Sequence, residues 1–171
     1  GLAVQGGVLV DAGGRSSDPA IYAVGDVARQ LGIDAQPRPR LESWRHAEDS
    51  AQAVAAALCG MPLPGETVPW FWSDQYGRNI QLAGRPQDTH DVVLVGEPDR
   101  GPALWYFLEG EVVRGAVGVD CGREVRGAMK LIQAGRAVER GQLPRPRAAA
   151  PALASCAGAP AQPAQPALSS L

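Results

Sequence analysis

The chain has 171 residues, 45% of them hydrophobic, with 16 basic against 18 acidic side chains. That is enough apolar material for one ordinary domain, or for a small domain beside part of another. The near-balance of charge, with no basic run among the aromatics, excludes the electrostatic footprint of a nucleic-acid binder. No apolar stretch approaches the roughly 18 residues of a membrane span, and residues 1–7 have neither the charged start nor the apolar core of a signal peptide. The expectation is a soluble, cytoplasmic protein.

In chain order, Val8 to Asp11 reads as a strand, Ala12-Gly13-Gly14 as a turn, and Ile21 to Val24 as a buried strand. Two strands this short need further strands to satisfy their edges, so the chain is expected to start inside a domain. After the Pro/Arg-rich loop 36–40, Glu42 to Cys59 is free of Pro and Gly and stops at Gly60 and Pro62, which predicts a helix. Its small apolar positions Ala47, Ala51, Val54, Ala55 and Leu58 predict the face laid on a sheet. From Thr67 the pattern turns to short runs at Asn79–Ala83, Asp91–Val95, Leu104–Leu108 and Val112–Val119. These predict an antiparallel meander, with Glu109-Gly110 as its hairpin turn. Arg123 to Ala134 carries Val125, Ala128, Met129 and Ile132 at helical spacing and is expected to cover one face of that meander. Beyond Leu143 the Pro, Ala, Ser and Gln composition predicts disorder.

Cys59, Cys121 and Cys156 form no Cys-x-x-Cys pair, and His46 and His90 stand alone. No metal site, iron-sulfur cluster or redox dithiol is therefore expected of the chain itself. Chemistry concentrates instead in Ser16-Ser17-Asp18-Pro19-Ala20-Ile21-Tyr22-Ala23-Val24-Gly25-Asp26. A strand ending in Gly-Asp lets a ligand approach the backbone at Gly25 and leaves Asp26 to accept hydrogen bonds from ligand hydroxyls. Gly-Asp alone is more often only a turn. Trp70-Phe71-Trp72 offers flat apolar surfaces that stack against a ring system and exclude water from it, or else forms a domain core. In an extended segment Trp70 and Trp72 share one side while Phe71 faces away. Glu42 reads either as a helix-start carboxylate or as a cofactor neighbour, and Trp44 either as a core residue or as a cofactor neighbour. His46 reads as a packing or surface residue.

The eleven-residue string resembles the T-S-D-P-x-I-Y-A-x-G-D motif of pyridine-nucleotide-linked flavoprotein reductases, with Ser16 in place of Thr. Arg40-Leu41-Glu42-Ser43-Trp44, with Val68-Pro69-Trp70-Phe71-Trp72-Ser73-Asp74-Gln75-Tyr76-Gly77 and Gln81-Leu82-Ala83-Gly84, resembles the ferredoxin reductases of bacterial oxygenase systems. Val119-Asp120-Cys121-Gly122-Arg123-Glu124 departs from the V-N-R-P-R-E-like string usual there. The His-Pro-x-x-x-Glu pair of disulfide reductases is missing, which disfavours disulfide chemistry.

The resemblance implies an α+β chain. Residues 1–66 would be the end of an α/β FAD-binding domain, 67–141 a small antiparallel-sheet reductase C-terminal domain with a covering helix, and 142–171 a disordered tail. It implies FAD as cofactor, NAD(P)H as hydride donor and a [2Fe-2S] ferredoxin as electron acceptor. Gly25, Asp26 and the backbone of Val27 would lie at the flavin, Asp26 on its ribityl chain, with the indole of Trp70 or of Trp72 nearby, Glu42 and Trp44 as candidate neighbours, and no side-chain acid or base required. Neither glycine-rich phosphate-binding loop is present, and Gly115-Ala116-Val117-Gly118 lies inside a hairpin strand and opens no helix. The chain is therefore expected to need a separate nucleotide-binding part and to bind FAD weakly, if at all, alone. The alternative is a non-catalytic remnant or stand-alone docking module.

Overall fold

The computed structural model describes residues 1–146. Residues 1–66 hold little regular sheet. Strand β1 (Val8–Val10) pairs in parallel with β2 (Ala28–Gln30), and Val10 and Ala28 are buried between them and their surroundings. The expected buried strand at Ile21–Val24 is not formed. Tyr22 makes one isolated bridge to Arg15, Ile21 and Val24 are exposed, and Gly25–Val27 turns into a single 3-10 turn that leads to β2. No other described element offers this apolar run a sheet partner, and an unpaired extended segment cannot bury both its faces.

Helix α1 spans Trp44–Leu58, starting two residues inside the expected range because Ser43 caps it by accepting the His46 backbone N–H at 3.2 Å. A short polar side chain at that position satisfies a donor the helix cannot. The inward face differs from the expected one. His46, Ala47, Asp49, Ser50, Ala53, Val54, Ala56 and Ala57 are half-buried, whereas Ala51, Ala55 and Leu58 face solvent. The face is set by glycine turns that meet the helix. A Cβ on Gly14, at φ +75°, would lie 2.3 Å from Val54 Cγ2, and one on Gly25 would lie 3.5 Å from Ala47 Cβ.

The remainder is a five-stranded antiparallel sheet of β3 (Trp70–Gln75), β4 (Arg78–Gly84), β5 (Asp91–Gly96), β6 (Ala103–Glu109) and β7 (Val112–Val119), in spatial order β3-β4-β7-β6-β5. Tyr76 (φ 51°) and Gly77 (φ 73°) close β3 on β4, the two-positive-φ turn that matches strand twist. The β6–β7 turn is Gly110-Glu111, one residue later than expected, because Glu109 pairs with Val112 across an irregularity at Phe107/Leu108. Helix α2 (Gly122–Ala134) covers one face and ends on Gly135 in the left-handed conformation. Leu104, Tyr106, Leu108, Val113, Val125 and Ala128 are fully buried between sheet and helix. On the opposite face Phe71, Leu82, Val117, Trp105 and Leu94 stand in one cross-strand row.

The expected disordered tail has a different start. Leu143 is buried in this core, and the Tyr106 hydroxyl donates to the Pro144 carbonyl at 2.8 Å, so burial and a hydrogen bond hold residues 142–144 in place despite their composition. Residues 147–171, where the rest of that expected tail falls, lie outside the described residues. Among the described residues no helix is long and apolar enough to cross a membrane.

Sheet and helix meet closely at Gly118, where a Cβ would fall 2.4 Å from Val125 Cγ2 and 2.8 Å from Cys121 Sγ. Gly118→Ala is therefore expected to cost about 1–3 kcal/mol in urea unfolding, and adding Val125→Ala to recover part of it. Additive losses would contradict this contact. The Cys121 thiol donates to the Ala103 carbonyl at 3.2 Å. Burial, reinforced by the Glu124 charge, pushes it up to about 11, and burial also raises Tyr106. Both groups are held neutral by the fold. The thiol's contribution to stability is complete below its ordinary value of 9.0 and is lost as pH rises toward about 11. Cys121→Ala should flatten that alkaline slope in urea titrations across the window.

Candidate functional site

The first two turns of α1 are where the separately encoded candidates meet. On one side lies the 3-10 turn. Gly25 takes φ +66° and is buried, a conformation that costs an L-residue about 1–2 kcal/mol, and its lack of a side chain lets Ala47 approach. Its N–H donates to Ser50 Oγ at 3.0 Å, and the same hydroxyl donates to the Ala47 carbonyl at 3.0 Å. Ser50 thus uses its donor and an acceptor to tie turn and helix together.

That anchoring presents Asp26 and Val27 outward, both exposed. Arg40 Nη1 donates to the Asp26 backbone carbonyl at 2.8 Å, and its Nη2 pairs with Glu42 Oε1 at 2.5 Å. Among the described residues the Asp26 carboxylate itself has no hydrogen-bond partner. Glu42 precedes the cap, so it is not a helix-start carboxylate. It orients Arg40, which in turn holds the Asp26 turn.

On the other side of the same helix start lie the indoles. Trp44, the first residue of α1, is 62% exposed, which overturns the core reading. Its ring meets Trp72 edge-on, centroids 5.9 Å apart and planes at 82°. Trp72 stacks on Trp70 at 4.8 Å and 23°, as expected of two residues on one side of a strand, and Phe71 faces away. Trp70 is half-buried against the domain core while Trp72 is 37% exposed, so the triplet grades from core into surface. Offset-stacked and edge-to-face indoles interact favourably beyond the area they bury.

His46 lies half-buried between these parts. Burial lowers it below the usual histidine value and Arg85 adds to that, against the opposing charges of Asp49 and Asp26. That direction favours the neutral imidazole. A cavity of about 620 Å³ behind α1 takes in His46, Ser50, Trp70 and Arg85 but not Asp26, Trp44 or Trp72. The candidate site is therefore an open face beside that cavity. The seven residues singled out in the sequence gather around one helix start. Ser50, a serine inside a helix, carries no signal until its partners are known, and Gln81, though part of the Gln81-Leu82-Ala83-Gly84 string, carries none of its role until its bond to Trp70 is seen.

The arrangement suits a flat, hydroxyl-bearing ligand. A left-handed glycine without side chain gives close backbone approach, an unpartnered carboxylate accepts from hydroxyls, and exposed indoles border a ring. The described residues therefore fit the ribityl and ring end of a flavin.

Residues 70–153 match the family model described as "Reductase C-terminal", and residues 1–51 match "Pyridine nucleotide-disulphide oxidoreductase". The chain thus joins a pyridine nucleotide-disulphide oxidoreductase segment to a reductase C-terminal segment, the combination of part of an FAD-dependent ferredoxin reductase. FAD and NAD(P)H are the cofactors of that family. Similar solved structures include the putidaredoxin reductase–putidaredoxin covalent complex (31% identity, TM-score 0.75, 84% of this chain and 34% of that one). Fdr9 is 34% identical, with a TM-score of 0.73 over 86% of this chain and 39% of that one. The ferredoxin reductase for the CYP199A2 system from Rhodopseudomonas palustris is 29% identical, with a TM-score of 0.75 over 83% of this chain and 35% of that one. The chain thus spans little more than a third of the length of these reductases.

Ser50→Ala leaves the buried Gly25 N–H without its acceptor and is expected to destabilise the chain by about 1–3 kcal/mol in urea unfolding. Unchanged stability would show that the turn is not held through Ser50.

Proposed function

We propose that this chain supplies the flavin-edge, partner-facing part of an FAD-dependent NAD(P)H:ferredoxin oxidoreductase, from which electrons pass to a [2Fe-2S] ferredoxin of an oxygenase system. The observation that carries this reading is the meeting of Asp26, on its left-handed Gly25, with the Trp44–Trp72–Trp70 set at one helix start. Similarity to ferredoxin reductases, one of them held covalently to its ferredoxin, supports it.

In this reading Asp26 accepts hydrogen bonds from the ribityl hydroxyls, and the Gly25 and Val27 backbone lies alongside. Glu42 acts through Arg40 to hold the turn. Trp44 and Trp72 border the ring and keep water from it, while Trp70 backs them from the core. Bound FAD supplies the conversion of a two-electron hydride from NAD(P)H into single-electron steps, and the protein supplies position and environment. No side-chain acid or base is required, and His46 has none of that work to do.

The phosphate-binding glycine-rich loops are not among these 171 residues, so nucleotide binding belongs to another stretch of polypeptide. The exposed apolar side chains of Ile21, Val24 and Val27, flanking the Gly25–Asp26 turn, suit a surface which that stretch covers.

The test is to mix this chain with a separately expressed nucleotide-binding part of putidaredoxin reductase and add FAD, NADH and oxidised putidaredoxin. The mixture is expected to retain flavin through gel filtration and to reduce putidaredoxin, whereas either half alone does neither. Asp26→Ala should weaken flavin retention about tenfold or more, the worth of a hydrogen bond to a charged group. Failure of the mixture to retain flavin contradicts the reading. Putidaredoxin binding by this chain without any gain of flavin would mark it as a docking module instead.

A further inference from the structure

Gln81 is the buried polar side chain of the described core, 9% exposed, and it sits on β4 directly across from Trp72. Its Oε1 accepts the Trp70 indole N–H at 3.2 Å, and its Nε2 donates to Asn79 Oδ1 at 2.8 Å. Asn79 Nδ2 donates in turn to Asp74 Oδ1 at 2.7 Å. The space for this amide is kept open by Gly122, the first residue of α2, where a Cβ would fall 2.4 Å from Gln81 Nε2. Among the described residues no buried side-chain nitrogen or oxygen is left unpaired.

The chain has one allowed polarity. An indole N–H only donates and an ionised carboxylate only accepts, while each of the two amides between them has one accepting and one donating end. Trp70 at one terminus and Asp74 at the other therefore fix both amides. Gln81 must turn its carbonyl to the indole, and Asn79 must turn its carbonyl to Gln81.

We propose that Gln81 is a positioning residue that locks the Trp70 ring, and through it the stack on Trp72 and the edge contact with Trp44, by a directional hydrogen-bond chain ending at Asp74. The sequence motifs around these tryptophans, which the flavin-edge reading does not by itself explain beyond the indoles, acquire a role here. Asp74 and Asn79 set the direction, Gln81 transmits it, and Gly122 makes room. The use of this geometry in electron transfer rests on the function proposed above. The positioning itself does not.

The stack is read directly by far-ultraviolet circular dichroism, because two indoles this close couple their transitions into a paired positive and negative band. Trp70→Phe, which removes the pair, identifies that signal in the 171-residue chain. Gln81→Leu is expected to reduce it by roughly half or more, since the indole N–H loses its acceptor, and Gln81→Glu, which keeps an acceptor, to retain it. The exposed end gives a second variant with little risk to folding. Asp74→Lys replaces an acceptor by a donor, reverses both amides, and turns a Gln81 donor against the indole N–H, so the band pair should fall. Asp74→Asn can still accept and should leave the signal in place. An undiminished band pair in folded Gln81→Leu or in Asp74→Lys overturns the positioning role, whatever the chain's function. In the flavin-reconstituted mixture, the same two variants should slow putidaredoxin reduction while flavin retention is unchanged. A lost band pair with an unchanged rate would leave the positioning intact and count against the flavin-edge reading.

Discussion

A buried glycine in the left-handed conformation, pressed against a helix, fixes the candidate face. Gly25 brings the chain within van der Waals reach of Ala47, and Ser50 closes the contact by accepting the Gly25 N–H and donating to the Ala47 carbonyl. Neither half of this contact stands without the other. Any side chain at Gly25 meets the helix while also being forced to positive φ, and without the hydroxyl a buried N–H is left unpaired. Once it is made, the direction of Asp26 and the start of α1 are set together, and Arg40 secures the outer side of the turn with Glu42 behind it.

The same helix start reaches the sheet. Trp44 leaves the first turn of α1 and meets Trp72 on β3, so two segments with different kinds of stability are joined through aromatic rings. Residues 1–66 contain a two-stranded sheet and a helix without a single fully buried residue. The sheet domain has a continuous core between β4, β7, β6 and α2. Thr67 adds a second link, its hydroxyl hydrogen-bonded to Asp49 at 2.8 Å, and Arg38 pairs with Glu66 across the connecting segment. A domain with a firm core thereby carries the Trp70–Trp72 stack, and a lightly packed one carries the carboxylate and Trp44. That division suits a face where one side must stay rigid to place rings and the other must accommodate a ligand.

Much of this was legible in the sequence where local rules and tertiary packing agree. The helix at 44–58, the individual strands and α2 follow from apolar period, cap and stop residues, and Trp70 and Trp72 share a side because strands alternate; the meander order does not hold, since β4 pairs with β7 rather than with β5. The misses have physical reasons. Ile21–Val24 has a strand's composition but no partner within the described residues. Of the predicted inward face of α1, Ala47 and Val54 do turn inward, but Ala51, Ala55 and Leu58 do not, because the glycine turns that dock on Ala47, Val54 and Ala57 decide the face. Leu143 and Pro144 were read as tail from composition, because neither burial under α2 nor a hydrogen bond from Tyr106 leaves a local mark. Ser50 and Gln81 act only through residues distant in the chain, 25 positions from Gly25 in one case and 11 from Trp70 in the other.

The central claim is that folding brings the Gly25–Asp26 turn and the indoles to one helix start. Nuclear Overhauser contacts in the isotope-labelled chain test it most directly. The account predicts cross-peaks between the Trp44 and Trp72 indole protons and between Gly25 Hα and the Ala47 methyl, with the Gly25 amide protected from hydrogen exchange. A freely exchanging Gly25 amide, or a Trp44 ring without contact to Trp72, would contradict it.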